Sequence, residues 1–311
     1  MYVPRRDEVA IILPSIRINA DGNKYGKDSK MSYLRHWKLS RSPFTLGAAG
    51  RGTFTGGTIE EALARSHFLV TQEKRLGLVL GPSGVGKTTF LKYFCRARKS
   101  QFTRENVAMI DLRCADGESV PNRILNSFFP FQEGLLSKQE CWSKINDLLF
   151  AESAVGHRTV FLLDNLHGTY EEVFQAISQL WSSQIGWSML LCLDHDAVVD
   201  LPRWFIDQCE LRIDLPSWDL GQTADYFDFA FQHAGGPDDI FNGQAITRIQ
   251  ELSDGIPRKI VQIAELALVA GAVRKAEKVT SELVDQVCDE FTLSVGGKFP
   301  SILAGQSLNA E

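Results

Sequence analysis

Eight consecutive residues carry the strongest chemical signal in this sequence. They match the pattern GxxxxGK[ST], and they are Gly81, Pro82, Ser83, Gly84, Val85, Gly86, Lys87 and Thr88. Because glycines leave backbone N–H groups unobstructed, such a loop can aim several donors at the phosphates of a nucleotide. The loop leads through Thr89 into a helix-like segment, and a helix N-terminus favours negative charge. The pattern predicts a binding site for a nucleoside triphosphate.

The chemistry of individual residues predicts their roles at this site. Lys87 is predicted to contact the β- and γ-phosphates, and Thr88 to ligate Mg²⁺. A further Mg²⁺ ligand is predicted at Asp164, which ends the apolar run 159–164. A continuously apolar strand that ends in an acid is typical of a central parallel strand covered on both faces. The sequence therefore predicts a magnesium–nucleotide site.

The elements that must position this site follow from hydrophobic periodicity. Short apolar strands alternate with helical segments between residues 76 and 215. This alternation predicts an α/β fold, a parallel sheet in three αβα layers. From residue 217 on, strand signals end and apolar residues recur at helical spacing, near 221–235, 244–253, 257–272 and 280–291. A small all-helical domain is therefore predicted to follow the sheet.

These patterns predict four segments along the chain. A weakly ordered extension over 1–30 precedes the α/β nucleotide-binding domain over 31–216. The helical lid domain covers 217–293, and a flexible tail covers 294–311. The apolar content of 44% is enough for a substantial core.

Composition argues against several other classes of protein. The six cysteines are widely spaced with no CxxC pair, so neither a metal centre nor a disulfide scaffold is predicted. Free cysteines are typical of a reducing compartment, and a cytoplasmic location is therefore predicted. No segment reaches membrane-spanning length without charge. The net charge of −5 gives no indication of nucleic-acid binding, although it does not exclude a local basic patch.

A P-loop α/β domain followed by a four-helix lid resembles the AAA+ ATPases. More specific motifs resemble the general secretion pathway protein A (ExeA) group, over about residues 31–291. They are Tyr33-Leu34, Trp37-Lys38-Leu39, Pro43-Phe44, the run Thr-Ile-Glu-Glu-Ala-Leu at 58–63, and Gly255-Ile-Pro-Arg258, which looks like the sensor 2 motif of that group. The same branch includes transposition ATPases of the MuB, TniB and TnsC kind and is similar to the Orc/Cdc6 initiators.

The resemblance implies ATP and Mg²⁺ as ligands and assigns further roles. It implies that Arg258 contacts the nucleotide phosphates and couples their presence to lid position. The alternative for Arg258 is a surface arginine at the start of a helix. The sensor 1 position falls on Asp194 or His195, where a polar residue can hold the attacking water, although asparagine, threonine or glutamine is more usual in the family.

The chain also departs from the family pattern. A glutamate that orients or deprotonates the attacking water usually follows the Walker B aspartate, and here that residue is Asn165. An asparagine can position a water but cannot accept its proton, so hydrolysis is expected to be slow. His167 or Glu171 are the nearby residues that could compensate. In the family, an arginine of the neighbouring subunit, placed shortly before the last strand, commonly completes the site. The resemblance places Gln208 at this arginine-finger position, with Arg203 and Arg212 on either side. It places Ala230 where the family has another arginine, in the first lid helix.

Three functions follow from these features. The first is a slow ATPase switch, in which ATP closes the lid and favours assembly or the binding of an unidentified protein partner, and hydrolysis to ADP reverses this. The second is an ATP-binding scaffold that does not hydrolyse. The third is an accessory to DNA transposition or replication, which rests on kinship alone. The sequence leaves the oligomeric state open, a homo-oligomer included.

Overall fold

The computed structural model describes residues 12–13, 16–17, 33–44, 54, 56–101, 104–129, 136–166, 170–183, 185–237 and 239–295. The chain divides into two compact units. One unit is Gly52–Ser217, and the other combines Met1–Arg51 with Trp218–Glu311. Most of the predicted tail, most of the predicted extension, and His167 lie outside the described residues, whereas residues 294 and 295 of the predicted tail belong to the last helix.

The described strands are β1 (Ile12–Leu13), β2 (Ile16–Arg17), β3 (Leu76–Leu80), β4 (Glu105–Asp111), β5 (Arg158–Asp164), β6 (Trp187–Leu193) and β7 (Cys209–Asp214). The helices of the first unit are α1 (Gly57–Thr71), α2 (Lys87–Gln101), α3 (Ser119–Phe128), α4 (Lys138–Ala154), α5 (Tyr170–Ser182) and the short α6 (Arg203–Ile206). Those of the second unit are α7 (Leu220–Ala234), α8 (Gly243–Ser253), α9 (Pro257–Val273) and α10 (Ser281–Val295).

The first unit is built on a parallel five-stranded sheet with the order β4-β5-β6-β3-β7. Parallel strands bring their carboxyl ends to one edge, so the residues that end them become neighbours. Asp111 is the register partner of Asp164 across β4 and β5. Leu80, just before the glycine-rich loop, pairs with Leu193 on one side and Asp214 on the other. This edge therefore gathers the residues of interest.

Both faces of the sheet are buried, which explains why its strands are apolar throughout. Leu78, Phe161 and Leu191 belong to one core, together with residues of α3, α4 and α5. Val79 and Cys192 belong to the opposite core, together with residues of α1 and α2. Helices thus cover the sheet on both sides. The predicted three-layer α/β fold is confirmed, and a helical unit follows it.

The second unit contains a segment that the sequence analysis placed in the α/β domain. Residues 33–44 pack against the lid helices: Trp37 is buried and its Nε1 donates to the carbonyl of Leu268 in α9 at 2.8 Å. The ring of Phe44 contacts those of Phe227 and Phe231 in α7. The structure therefore assigns 33–44 to the helical unit, because its large apolar side chains are buried there. The later division, between 217 and 218, lies one residue from the predicted boundary.

Local signals explain the ends of the lid helices. Asp219 caps α7 in a capping box with Gln222, and Gly235 ends that helix with φ of 67°. Asn242 caps α8, and Pro257 occupies the first turn of α9, where a missing N–H costs little. In the described part of the chain, no helix combines the length and apolar character needed to cross a membrane.

Candidate nucleotide-binding site

The glycine-rich loop begins with a close approach between two backbones. A Cβ added at Gly81 would lie 2.4 Å from the carbonyl oxygen of Leu215, so no other residue fits without a shift. The contact is part of the sheet, because the Leu215 amide donates to the Leu80 carbonyl at 2.7 Å. Gly81 is thus required to join β3 to the loop.

The remaining glycines give the loop its shape. Gly84 and Gly86 have φ of 87° and 110°, which side chains on L residues disfavour. Helix α2 begins directly after them at Lys87, and the Phe90 amide donates to the Gly86 carbonyl at 2.9 Å. The amides of the first turn, including those of Thr88 and Thr89, precede the hydrogen-bond ladder and remain available to an anion.

The loop lysine is already engaged by oxygen atoms. Lys87 Nζ donates to the carbonyls of Gly81 at 2.7 Å and Pro82 at 3.0 Å. It also donates to Asp194 Oδ1 at 2.6 Å, an ion pair between half-buried side chains. Of the two alternatives for the sensor 1 position, the structure brings Asp194 to the loop. His195 instead contacts Asp214 Oδ1 at 3.2 Å.

Asp164 ends β5 as a buried carboxylate with an unused acceptor. Its side chain is 3% exposed, and Oδ2 has no hydrogen-bond partner among the described residues. The pKa of the Cys192 thiol is raised well above its usual range, chiefly by burial, then by the charge of Asp164, with Lys87 opposing. Asp164 ends β5 beside β6, and Lys87 contacts Asp194 just after the end of β6, so Asp164 and Lys87 lie at the same edge of the sheet.

These residues fit a magnesium ion. Mg²⁺ prefers oxygen ligands and usually takes few from the protein, keeping waters and substrate phosphates for the rest. Oδ2 of Asp164, which has no hydrogen-bond partner among the described residues, is a ligand of the required kind, and Thr88 supplies a hydroxyl in the first turn of α2. In the described part of the chain, no group of three or more histidine, cysteine and acidic residues suits a protein-only metal site.

Asn165 follows Asp164 and contacts a residue that the sequence analysis did not place at the site. Asn165 has φ of 57°, and its Nδ2 donates to Asp111 Oδ1 at 3.2 Å. Asp111 ends β4. The signal that could have found it is the shared edge of parallel strands, combined with the position of β4 next to β5.

The other predicted residues have different surroundings. Arg258 is exposed at the start of α9 and has no hydrogen bond or ion pair to any described residue. The glycine of its motif has a structural reason, because a Cβ at Gly255 would lie 2.1 Å from the Trp218 carbonyl oxygen. Glu171 is an exposed residue in the first turn of α5.

The two arginines near the predicted arginine-finger position differ in their contacts. Arg212 donates to Asp214 through Nε and Nη2, at 3.0 Å and 2.9 Å. Arg203, at the start of α6, is exposed and has no ion pair within the described residues. Gln208 lies in the turn before β7, and Ala230 is fully buried in α7.

Comparisons with known proteins bear on the family and the fold. Residues 70–198 match the family model of the AAA domain. The chain is 25% identical over 256 residues to general secretion pathway protein A of Aeromonas hydrophila, which covers 79% of this chain and 46% of that protein. The chain thus spans about half the length of this curated relative.

Solved structures show the same fold. The crystal structure of Cdc6p from Pyrobaculum aerophilum superposes with a TM-score of 0.62 at 16% identity, covering 79% of this chain and 70% of that one. The Aeropyrum pernix ORC1 protein, in a structure described as a complex with DNA, gives a TM-score of 0.62 at 15% identity, covering 82% and 70%.

Proposed function

We propose that this chain, an AAA+ P-loop protein by its family match and its fold, is a slow Mg²⁺-dependent ATPase that acts as a switch. Its nucleotide state is proposed to control assembly or the binding of a protein partner. The observation that supports this most is the buried, unpaired Oδ2 of Asp164 at the same sheet edge as the P-loop. A buried acceptor without a partner is costly unless a ligand uses it.

Several residues would hold the nucleotide. The free amides at the start of α2 and the charge of Lys87 suit the phosphates, and Thr88 with Asp164 suits Mg²⁺. The metal supplies charge neutralisation for the transferring phosphoryl group when it is bound. Arg258 is proposed to sense the phosphates from the lid, since its side chain is exposed and makes no ion pair within the described residues.

Slow turnover follows from Asn165. Phosphoryl transfer depends mainly on positioning and charge, so an amide that orients water supports the reaction without accepting the proton. Steady-state phosphate release tests this proposal. The wild-type protein is expected to turn over ATP at well below about 1 s⁻¹ but clearly above its Lys87→Ala variant, whereas equal rates would eliminate hydrolysis.

A non-hydrolysing scaffold is the second candidate, supported by Asn165, whose carboxamide cannot accept a proton from the attacking water, and by Gln208 and Ala230 at two positions where the family has arginines. In that case ATP would bind and remain intact. Product analysis after long incubation separates the two functions: ADP in an amount that depends on Lys87 supports the ATPase, and intact ATP supports the scaffold.

An accessory role at DNA is a third proposal, and fewer observations support it. The solved relative of similar fold is described in complex with DNA, but a likeness at 15% identity concerns the fold. The chain carries a net charge of −5, so binding would require a local basic surface. Binding that depends on ATP and weakens with salt would support this role, and no binding at low salt would exclude it.

A further inference from the structure

We propose that helix α2 carries a docking surface for the phosphate backbone of double-stranded DNA. The surface is the basic stripe, which consists of Lys92, Arg96 and Lys99. The inference rests on the third proposed function, a role at DNA, and supplies the local basic surface that this role requires. It does not depend on ATP hydrolysis.

Helix α2 is strongly basic within an acidic chain. Its 15 residues include five lysines and arginines and no aspartate or glutamate, whereas the whole chain has a net charge of −5. Two of the five cations are paired, Lys87 with Asp194 and Arg98 with Glu105. The other three form the basic stripe.

The three side chains of the basic stripe lie on one face of the helix. Their spacing of four and then three residues places them on the same side in successive turns. Each is exposed, and none forms an ion pair within the described residues. The other face of α2 is buried in the core through Phe90, Leu91 and Phe94. That burial holds the basic stripe toward solvent.

The stability of the helix does not explain these charges. Lysine or arginine residues three or four positions apart repel each other and destabilise a helix, and the basic stripe contains two such pairs. The helix dipole favours cations only in the last turn, which includes Lys99 but not Lys92 or Arg96. An anionic partner would relieve the repulsion along the whole stripe.

The spacing of the charges suits a nucleic-acid backbone. From Lys92 to Lys99 the helix rises roughly 10 Å, at about 1.5 Å per residue. One strand of a DNA duplex carries one negative charge per about 3.4 Å along its axis, so about three phosphates lie within that length. Three cations therefore face about three phosphates. Contacts of this kind position a protein on DNA without recognising its sequence.

The surroundings of the basic stripe favour a duplex over other polyanions. Helices that bind membrane surfaces insert apolar side chains from the face opposite their cations, but on α2 that face is buried in the core. Single strands are usually bound by rows of exposed aromatic rings. Phe90 and Phe94 are buried, and Tyr93 is only partly exposed.

The experiment measures fluorescence anisotropy of a labelled DNA duplex of about 30 base pairs, with full-length protein and salt between about 50 and 200 mM. The stripe variant is Lys92→Gln/Arg96→Gln/Lys99→Gln. The matched control is Arg35→Gln/Lys144→Gln/Lys275→Gln, which removes two lysines and one arginine from exposed positions in separate parts of the chain. Arg96→Glu, a single charge reversal, repeats the test if the stripe variant does not fold.

We expect wild type and control to bind the duplex equally, and the stripe variant to bind at least about tenfold more weakly at low salt. The slope of log K against log salt should be smaller by about 2.7 in the stripe variant, because three phosphate contacts are lost. A second duplex of unrelated sequence should bind wild type with the same affinity.

Equal affinity and equal salt slope for the stripe variant and the control would overturn the inference alone. Tighter stripe-dependent binding to phosphatidylserine vesicles, or to an RNA duplex of the same sequence, would also overturn it, since the partner would then be a different polyanion. If wild type binds no DNA at low salt, with or without ATP, the third proposed function fails together with the inference.

Discussion

Lys87 of the P-loop and Asp194 at the end of β6 form an ion pair, with 2.6 Å between Nζ and Oδ1. The lysine side chain is 13% exposed, so its charge is partly removed from water and is paired with the carboxylate. A triphosphate must compete with Asp194 for this lysine. We therefore expect the pair to weaken nucleotide binding relative to a loop with a free lysine.

Replacement of Asp194 tests this competition. Asp194→Asn removes the negative charge beside the phosphate site and releases Lys87, so we expect ATP to bind about three- to tenfold more tightly. Equilibrium titration with ATP and Mg²⁺ measures the change. Asp200→Asn is the control, since Asp200 is an exposed aspartate at the end of the short 3₁₀ helix His195–Asp200, which directly follows Asp194. Unchanged or weaker binding for Asp194→Asn would show that the pair does not oppose the nucleotide.

Replacement of Asp164 should have opposite effects on the stability of the ligand-free protein and on ligand binding. In the absence of ligand its buried Oδ2 is unpaired, so Asp164→Asn should leave the thermal midpoint equal to or above that of the wild type. The same variant should lose most of the stabilisation that Mg²⁺ adds in the presence of ATP, because a ligand oxygen is missing. Thermal unfolding without ligand measures the first effect, and thermal unfolding with ATP, in the presence and absence of Mg²⁺, measures the second. A full Mg²⁺ effect in the variant would rule out Asp164 as a ligand.

Trp37 should stabilise the helical unit. It is 4% exposed, and its indole donates to the Leu268 carbonyl. We expect Trp37→Ala to cost about 3–5 kcal/mol and Trp37→Phe, which keeps most of the packing, to cost less. Amide hydrogen exchange in α9 reports the loss locally. Protection of α9 that is the same in Trp37→Ala and wild type would contradict the placement of this segment.

His67 should make stability depend on pH. Burial, and then the charge of Arg98, lower the pKa of His67 from its ordinary value of 6.5. The unfolded chain takes up the proton at a higher pH than the folded chain. The stability that comes from a neutral, buried His67 is therefore fully present above about pH 6.5 and is lost as the pH falls. The thermal midpoint should fall less on acidification in His67→Gln than in the wild type. An identical fall in both proteins would exclude a role for His67.

The sequence predicted those features that short patterns encode. The P-loop follows from the spacing of Gly81, Gly84 and Lys87, and the strands of the sheet follow from short apolar runs between helices. The contacts that depend on strand order were not predictable. Asn165 meets Asp111 because β4 lies beside β5, and Lys87 meets Asp194 because β6 lies beside β3. Both relationships join residues more than fifty positions apart.

The location of residues 33–44 illustrates the same limit. Their apolar side chains indicated burial, but nothing local indicated which unit buries them. The hydrogen-bond partner of Trp37, the Leu268 carbonyl, lies 231 positions later in the chain. Local sequence patterns cannot predict a contact between residues so far apart. The predicted α/β domain over 31–216 therefore included this segment.

The most direct test of the account is calorimetric titration of ATP with Mg²⁺ into the wild-type protein, with Lys87→Ala and Lys92→Ala as variants. Lys92 is exposed on the same helix and serves as the matched lysine. We expect saturable binding to wild type and to Lys92→Ala, and a loss of affinity of about tenfold or more in Lys87→Ala. Absence of binding to folded wild-type protein, or equal affinity in all three proteins, would contradict a nucleotide site at this loop.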